Sequence, residues 1–210
     1  MIEGIENIRA IAWDFNGVLN TAGDSWRAAL RAELGLDPEA FEQAVFKRNR
    51  RALQIGEDDI LDRLEAFVAE SGFEGNAEDI LEVLLEQDNA PDRELLLMIA
   101  QLDRAGVAQV MATNCDARRA RFLAVEGGWA ERFDAIFASG EMGVAKPDAG
   151  FFQRIEEAMS LAPEEFLLID DRERNIDAAD TRGWQVWHYQ SGGAMALAQA
   201  LMPLLLRAEE

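Results

Sequence analysis

Ile8-Arg-Ala-Ile-Ala-Trp-Asp14-Phe-Asn-Gly-Val-Leu19 is the stretch that decides the fold. A short apolar run that ends in an acid and then in Asn16-Gly17 is the pattern of a buried strand with a turn at its carboxyl end. Runs of the same kind recur at Val107 to Thr113, Ala135 to Ala138, Phe166 to Asp170 and Gln185 to Tyr189, with helical patterns between them. Alternation of strand and helix predicts a parallel sheet, and so an α/β fold.

The helices carry ordinary punctuation. Pro91-Asp92 opens one whose apolar positions Leu95, Ile99 and Leu102 repeat at helical spacing, and Gly106 closes it. Pro147-Asp148 opens another, while Asp116 to Glu126, Asn175 to Arg182 and Ala194 to Arg207 complete the set. About ninety residues separate the first strand from the second, far more than one crossover needs. Within them, Asp24 to Leu34, Pro38 to Leu53, Asp58 to Ser71 and Ala77 to Gln87 read as four helices that together look like an inserted all-α cap.

The chain has 210 residues, 49% hydrophobic and 29% charged, enough for one globular unit or a core with a small appendage. Its net charge of −20 repels nucleic-acid backbones and anionic membranes. The amino-terminal MIEGIENIRAIAWD lacks a basic start followed by a long apolar run, so a soluble cytoplasmic protein acting on small molecules is expected. One cysteine, Cys115, leaves no internal disulfide, and one histidine, His188, leaves no material for a His/Cys zinc cluster. Lys47 and Lys146 are the only lysines among 20 basic residues, which makes their positions informative.

In an open parallel sheet, ligands bind beyond the carboxyl ends of the strands, where strand order reverses. Those ends present Asp14, then Thr113-Asn114, then Ser139 with Lys146 in the loop beyond, then Asp170-Asp171, and last His188. Three carboxylates at one sheet edge repel each other, and magnesium, a hard cation that takes oxygen ligands, relieves this. Asp14 is then a nucleophile for an anionic ester, forming an aspartyl-phosphate. Lys146 balances the remaining charge, and the Thr113 hydroxyl donates to phosphoryl oxygens. Asn114 is a second candidate contact for the phosphate, with ordering of its own loop as the other reading. Asp170 or Asp171 can also cap the helix that follows. Cys115 and His188 read as structural, Trp26 and Phe46 as the apolar core of the insert, and Lys47, Arg48, Arg50 and Arg51 as a solvated face.

Asp14-Phe-Asn-Gly-Val-Leu19, Thr113-Asn114, Lys146-Pro147 and Asp170-Asp171 resemble the four ordered motifs of the haloacid dehalogenase superfamily. The resemblance covers nearly the whole chain. It implies a Rossmann-like core of five parallel strands, the first central, over residues 1–18 and 91–210, with a helical cap over 19–90. It carries over Asp14 as nucleophile, Thr113 as phosphate ligand, Lys146 as charge stabiliser and Asp171 with Asp170 as magnesium ligands. A magnesium-dependent phosphatase of a small phosphorylated metabolite is the activity implied. One position departs from the pattern. Where phosphatase members carry a second aspartate that protonates the leaving oxygen and binds metal through its backbone carbonyl, this chain has Asn16. The carbonyl survives, but an amide is no general acid. Three readings stay open: a phosphatase assisted in another way, a weakened member that serves as a binding or regulatory protein, and a 2-haloacid dehalogenase. A signalling receiver domain holds similar residues in a different chain order. Asn16-Gly17 is also prone to deamidation, which would create an aspartate in place.

Overall fold

A computed structural model describes residues 2, 4–87 and 89–206. Five strands form one parallel sheet: β1 (Ala10–Trp13), β2 (Ala108–Thr113), β3 (Ala135–Ala138), β4 (Phe166–Asp170) and β5 (Gln185–His188), in the spatial order β3-β2-β1-β4-β5. The chain builds outward from β1 through β2 to β3, then crosses back to β4 on the other side. Order therefore reverses at β1, and the crevice beyond its carboxyl end is where such a sheet binds ligands.

Both faces of β1 are covered, which is why its four residues are apolar. Ile11 and Trp13 pack with Leu95, Ile99 and Leu102 of α6 (Arg93–Arg104) and with Leu197 and Leu201 of α11 (Ala194–Leu205). Ala10 and Ala12 face the opposite layer, where their small side chains admit Phe151, Phe152 and Ile155 of α9 (Ala149–Met159). The indole of Trp13 would be a buried polar orphan, but its Nε1 donates to Gln109 Oε1 at 2.8 Å. Helices α7 (Ala117–Ala124), α8 (Ser139–Met142) and α10 (Glu173–Thr181) complete the Rossmann-like core. The short α8 was not expected from the sequence, since four residues leave no periodicity to read. The expected last helix ends at Leu205, and Arg207 lies outside the described residues.

Between β1 and β2 the insert folds around a core of its own, with Leu30, Phe41, Leu64 and Ile80 fully buried. Three of its expected helices form, as α1 (Ser25–Leu34), α4 (Ile60–Ser71) and α5 (Ala77–Gln87). The expected single helix from Pro38 to Leu53 is broken into α2 (Pro38–Phe41), a π-helical stretch Glu42–Lys47, and α3 (Arg50–Gln54). The Asn49 side chain donates to the Val45 carbonyl at 3.1 Å, so an amide group competes for the backbone at the break. Trp26 packs against Phe46 and Phe41 at ring separations of 5.7 and 6.2 Å, in the core expected for it.

The two chain crossings into the insert are tied together. Thr21 donates its backbone N–H and its hydroxyl to the Ala90 carbonyl at 2.8 and 2.9 Å, and Asp92 N–H donates to the Leu19 carbonyl at 2.8 Å. Asn20 Oδ1 accepts from the N–H groups of Ala22 and Ala90. Among the described residues no helix is long and apolar enough to cross a membrane.

Candidate active site

Asp14 follows β1 directly and is almost wholly buried. Burial, reinforced by Asp170 and Asp171, pushes its carboxyl up to about 6 against the lowering influence of Lys146. Lys146 Nζ donates to Asp14 Oδ1 at 2.8 Å and to Asp170 Oδ2 at 2.6 Å. Burial works against its charge, but the two carboxylates outweigh burial and hold the ammonium above the usual lysine value. Its loop is aimed by Asn114, whose Oδ1 accepts from Lys146 N–H at 2.9 Å and whose Nδ2 donates to the Lys146 carbonyl at 2.8 Å. Lys146-Pro147 is a cis peptide. The Asn114 amide is thus engaged with the lysine loop, the structural alternative raised for it, while Thr113 beside it is buried at the end of β2.

The acid pair divides. Asp170, fully buried, is surrounded by donors: Lys146, the N–H of Arg172 at 2.8 Å, and Asn175 Nδ2 at 3.0 Å from each carboxylate oxygen. Asp171 has an ion pair from Arg172 Nε to its Oδ2 at 3.2 Å, but its buried Oδ1 has no hydrogen-bond partner. Ligand oxygens of Asp14, Asp170 and Asp171 lie within 4.8 Å of one another. Three carboxylates face one ammonium, and one buried carboxylate oxygen is unsatisfied, an arrangement that fits a hard divalent cation.

Gly17, at φ +87°, gives Asp171 its room, because a Cβ there would fall 2.6 Å from Asp171 Oδ2. No side chain fits that gap, and a left-handed backbone adds strain for any residue but glycine. Gly17→Ala is expected to weaken magnesium binding by about 10–100-fold, the range for disturbing what orients a metal ligand. Isothermal titration with magnesium checks this, and unchanged affinity would refute it.

Asn16, half-buried, is held by two donors on its side-chain oxygen: Arg119 Nη2 at 2.8 Å and Asn20 Nδ2 at 3.0 Å. Arg119 sits in the first turn of α7, which Asp116 caps by accepting from the N–H groups of Arg118 and Arg119, both at 3.0 Å. Its guanidinium carbon stands 5.4 Å from the Phe15 ring centroid. A cavity of about 490 Å³ opens between these strand ends and the insert, with Asn16, Arg119 and Asp171 on one side and Trp26, Phe46 and Leu84 on the other.

The remaining candidates fall away from the chemistry. Burial pushes the Cys115 thiol up to about 12, leaving it protonated and inert. His188 is exposed, with Nε2 3.0 Å from the backbone carbonyl of Asp171. Lys47 stands 4.0 Å from Glu42 on the insert surface. Sequence reasoning missed Asn175, Asn20 and Arg119. A polar residue five positions after Asp170 was the one signal for Asn175, and Arg119 resembled any basic residue on a helix.

A family model for haloacid dehalogenase-like hydrolases matches residues 8–180. A sesquiterpene phosphatase of Aspergillus oryzae is 32% identical over 96 residues, which is 44% of this chain and 47% of that protein. A phosphoserine phosphatase of Thermus thermophilus is 33% identical over 93 residues, 44% of this chain and 35% of that one. The similarity therefore spans less than half the length of either relative. Among solved structures, a family enzyme from Bacteroides thetaiotaomicron, an aspartate-to-alanine variant with magnesium and inorganic phosphate, superposes with TM-score 0.73 at 17% identity, over 88% of this chain and 95% of that one. The L-2-haloacid dehalogenase of Xanthobacter autotrophicus superposes with TM-score 0.64 at 19% identity, over 96% and 87%. At these identities the likeness is one of fold.

Proposed function

The chain belongs to the haloacid dehalogenase-like hydrolases, and from that premise we propose that it is a magnesium-dependent phosphatase acting on a small phosphorylated metabolite through an aspartyl-phosphate on Asp14. The observation that carries this is the unsatisfied, buried Asp171 Oδ1 beside two further carboxylates. A site that hydrolyses a carbon–halogen bond has no use for such a cluster, whereas a phosphoryl group brings negative charge that must be met. The two relatives described above are phosphatases, and the Bacteroides structure holds magnesium with phosphate.

Asp14, Asp171 and the Asn16 backbone carbonyl would hold the ion, with Asp170 kept by Lys146 and Asn175 as the support behind it. When bound, magnesium neutralises phosphoryl oxygens so that an anionic carboxylate can approach an anionic ester. Asp14 attacks phosphorus, and the bond to the leaving oxygen breaks. Thr113 donates to an equatorial phosphoryl oxygen, and Lys146 keeps Asp14 ionised and oriented. Water then attacks the aspartyl-phosphate, releasing phosphate and the free carboxylate. Residues 1–18 and 91–210 act as the catalytic core. Residues 19–90 act as a cap, with Trp26, Phe46 and Leu84 presenting an apolar wall to the organic part of the substrate.

Hydrolysis of p-nitrophenyl phosphate tests the reading, with magnesium and after chelation, wild type beside Asp171→Asn. Chelation is expected to abolish turnover, and the variant, which loses the charge of a direct ligand, is expected to need at least about 100-fold more magnesium, above the range for a residue that only orients one. Full activity after chelation, or chloride release from 2-chloropropionate without metal, would reject the phosphatase.

A further inference from the structure

We propose that this site is specialised for phosphoryl groups whose leaving oxygen departs as an anion, namely acyl phosphates, phosphoric anhydrides and aryl phosphates, and that Arg119 stabilises that anion. The inference rests on the phosphatase reading and adds the class of bond that is cut.

Its basis is the environment of Asn16. Two residues beyond the nucleophile stands a side chain that neither gives nor takes a proton. Both donors to its oxygen fix the amide: Asn20 Nδ2 from the cap crossing and Arg119 Nη2 from α7. The amide is therefore oriented by a built network. Arg119 brings a permanent positive charge to this point of the cavity wall, on a helix turn capped by Asp116. A guanidinium cannot protonate a leaving group, but it does stabilise a full negative charge on one.

An oxygen of Asp14 forms a bond to phosphorus, and the bond from phosphorus to the leaving oxygen breaks with its electron pair going to that oxygen. No proton moves in this step. Carboxylate, phosphate and phenolate oxygens, whose conjugate acids have pKa values of about 4, 6 and 10, bear that pair without a proton. An alkoxide does not, so alkyl phosphates lose the roughly 10²–10⁴-fold that general acid catalysis supplies. In the second step water adds to phosphorus, Asp14 leaves as a carboxylate, and the proton from water goes to the phosphate released.

The test is the dependence of kcat/KM on the leaving group, with magnesium present, across acetyl phosphate, a series of substituted phenyl phosphates, and alkyl phosphates such as glycerol phosphate. This parameter reports the steps up to departure of the leaving group. Rates are expected to fall steadily as the leaving group becomes more basic, with alkyl esters at least about 10²-fold below p-nitrophenyl phosphate. Arg119→Gln is expected to lower kcat/KM on the aryl series by about 10²-fold, the scale of one oxyanion donor, and to steepen its dependence on leaving-group basicity, with most of the loss restored in Arg119→Lys. Magnesium affinity of Arg119→Gln is measured beside it, and a fall in affinity as large as the fall in turnover would assign Arg119 to holding Asn16 and overturn its role at the leaving group. Intact mass and peptide mapping of the protein used are the control for deamidation of Asn16. Equal rates on alkyl and aryl esters would overturn this inference and leave the phosphatase standing. Phosphate release from none of the panel would overturn both. The wild-type series decides the class of bond even if the variants do not fold, and an Arg119→Gln protein that folds with an unchanged series would overturn the role given to Arg119.

Discussion

Asp14→Asn is expected to cut kcat/KM for p-nitrophenyl phosphate by on the order of 10⁴-fold or more, the scale of losing a covalent nucleophile while its neighbours stay in place. The amide keeps the shape of the carboxylate and still accepts from Lys146 Nζ, so a drop reports chemistry and not unfolding. Equal rates in the two proteins would place the activity elsewhere and leave the chain as a binding protein. The same variant carries a stability signature of known sign. Burial pushes the Asp14 carboxyl up to about 6 from an ordinary 3.8, so the folded state binds that proton more tightly than the unfolded state does. The stability this confers is present below the lower value and is lost as pH rises through the upper one. Asparagine does not ionise and suffers no such loss. The melting temperature of metal-free Asp14→Asn is therefore expected to gain on the wild type between about pH 4 and about pH 7, with magnesium narrowing the gap. Scanning calorimetry across that range reads it, and a gap that stays constant with pH would contradict the assigned burial.

Lys146→Met is the second large effect. Methionine keeps the length of the apolar stem but removes the ammonium that joins Asp14 to Asp170. Breaking a buried pair from one side leaves an uncompensated charge and costs about 3–5 kcal/mol, here with two carboxylates left facing each other. The loss is expected to be larger at about pH 8 than at about pH 5, because the abandoned Asp14 carboxyl, already pushed up to about 6 by burial, can take up a proton at the lower pH. Urea denaturation of the metal-free protein at both values measures it. A variant as stable as the wild type at the higher pH would show that Lys146 is not the counter-ion the geometry makes it. Turnover is expected to fall as well, since Asp14 loses the group that orients it.

Much of this site was legible in the sequence, for a topological reason. In a parallel sheet each strand delivers its last residue to the same edge, so reading the ends of five apolar runs collects Asp14, Thr113, Asp170 and Asp171 without knowing any distance. Lys146 stood out by rarity in a chain with two lysines. What was hidden depends on pairings far apart in sequence. The division of labour between Asp170 and Asp171 is set by Asn175 and Lys146, which saturate one carboxylate and leave the other open. The contact of Arg119 with Asn16 joins residues 103 apart, and nothing about an arginine in a basic, amphipathic helix distinguishes it from its solvated neighbours. The break after Phe41 was hidden for another reason, because the apolar spacing from Pro38 to Leu53 is that of one helix and the competing bond from the Asn49 amide to the Val45 carbonyl leaves no mark on that spacing.

The way the insert is stitched to the sheet bears on how such a protein is assembled over generations. Leu19 and Asp92 are one hydrogen bond apart, so the seventy-odd residues between them begin and end at the same place. The covalent joins to the sheet lie side by side, so a change in the length of the insert need not strain β1 or β2, although Asp59 of the insert also pairs with Arg118 of α7. On the proposed reading, in which the core breaks the bond and the insert contacts the organic part of the substrate, a hybrid carrying another helical segment between Leu19 and Asp92 is expected to keep the reaction and change the molecules it accepts.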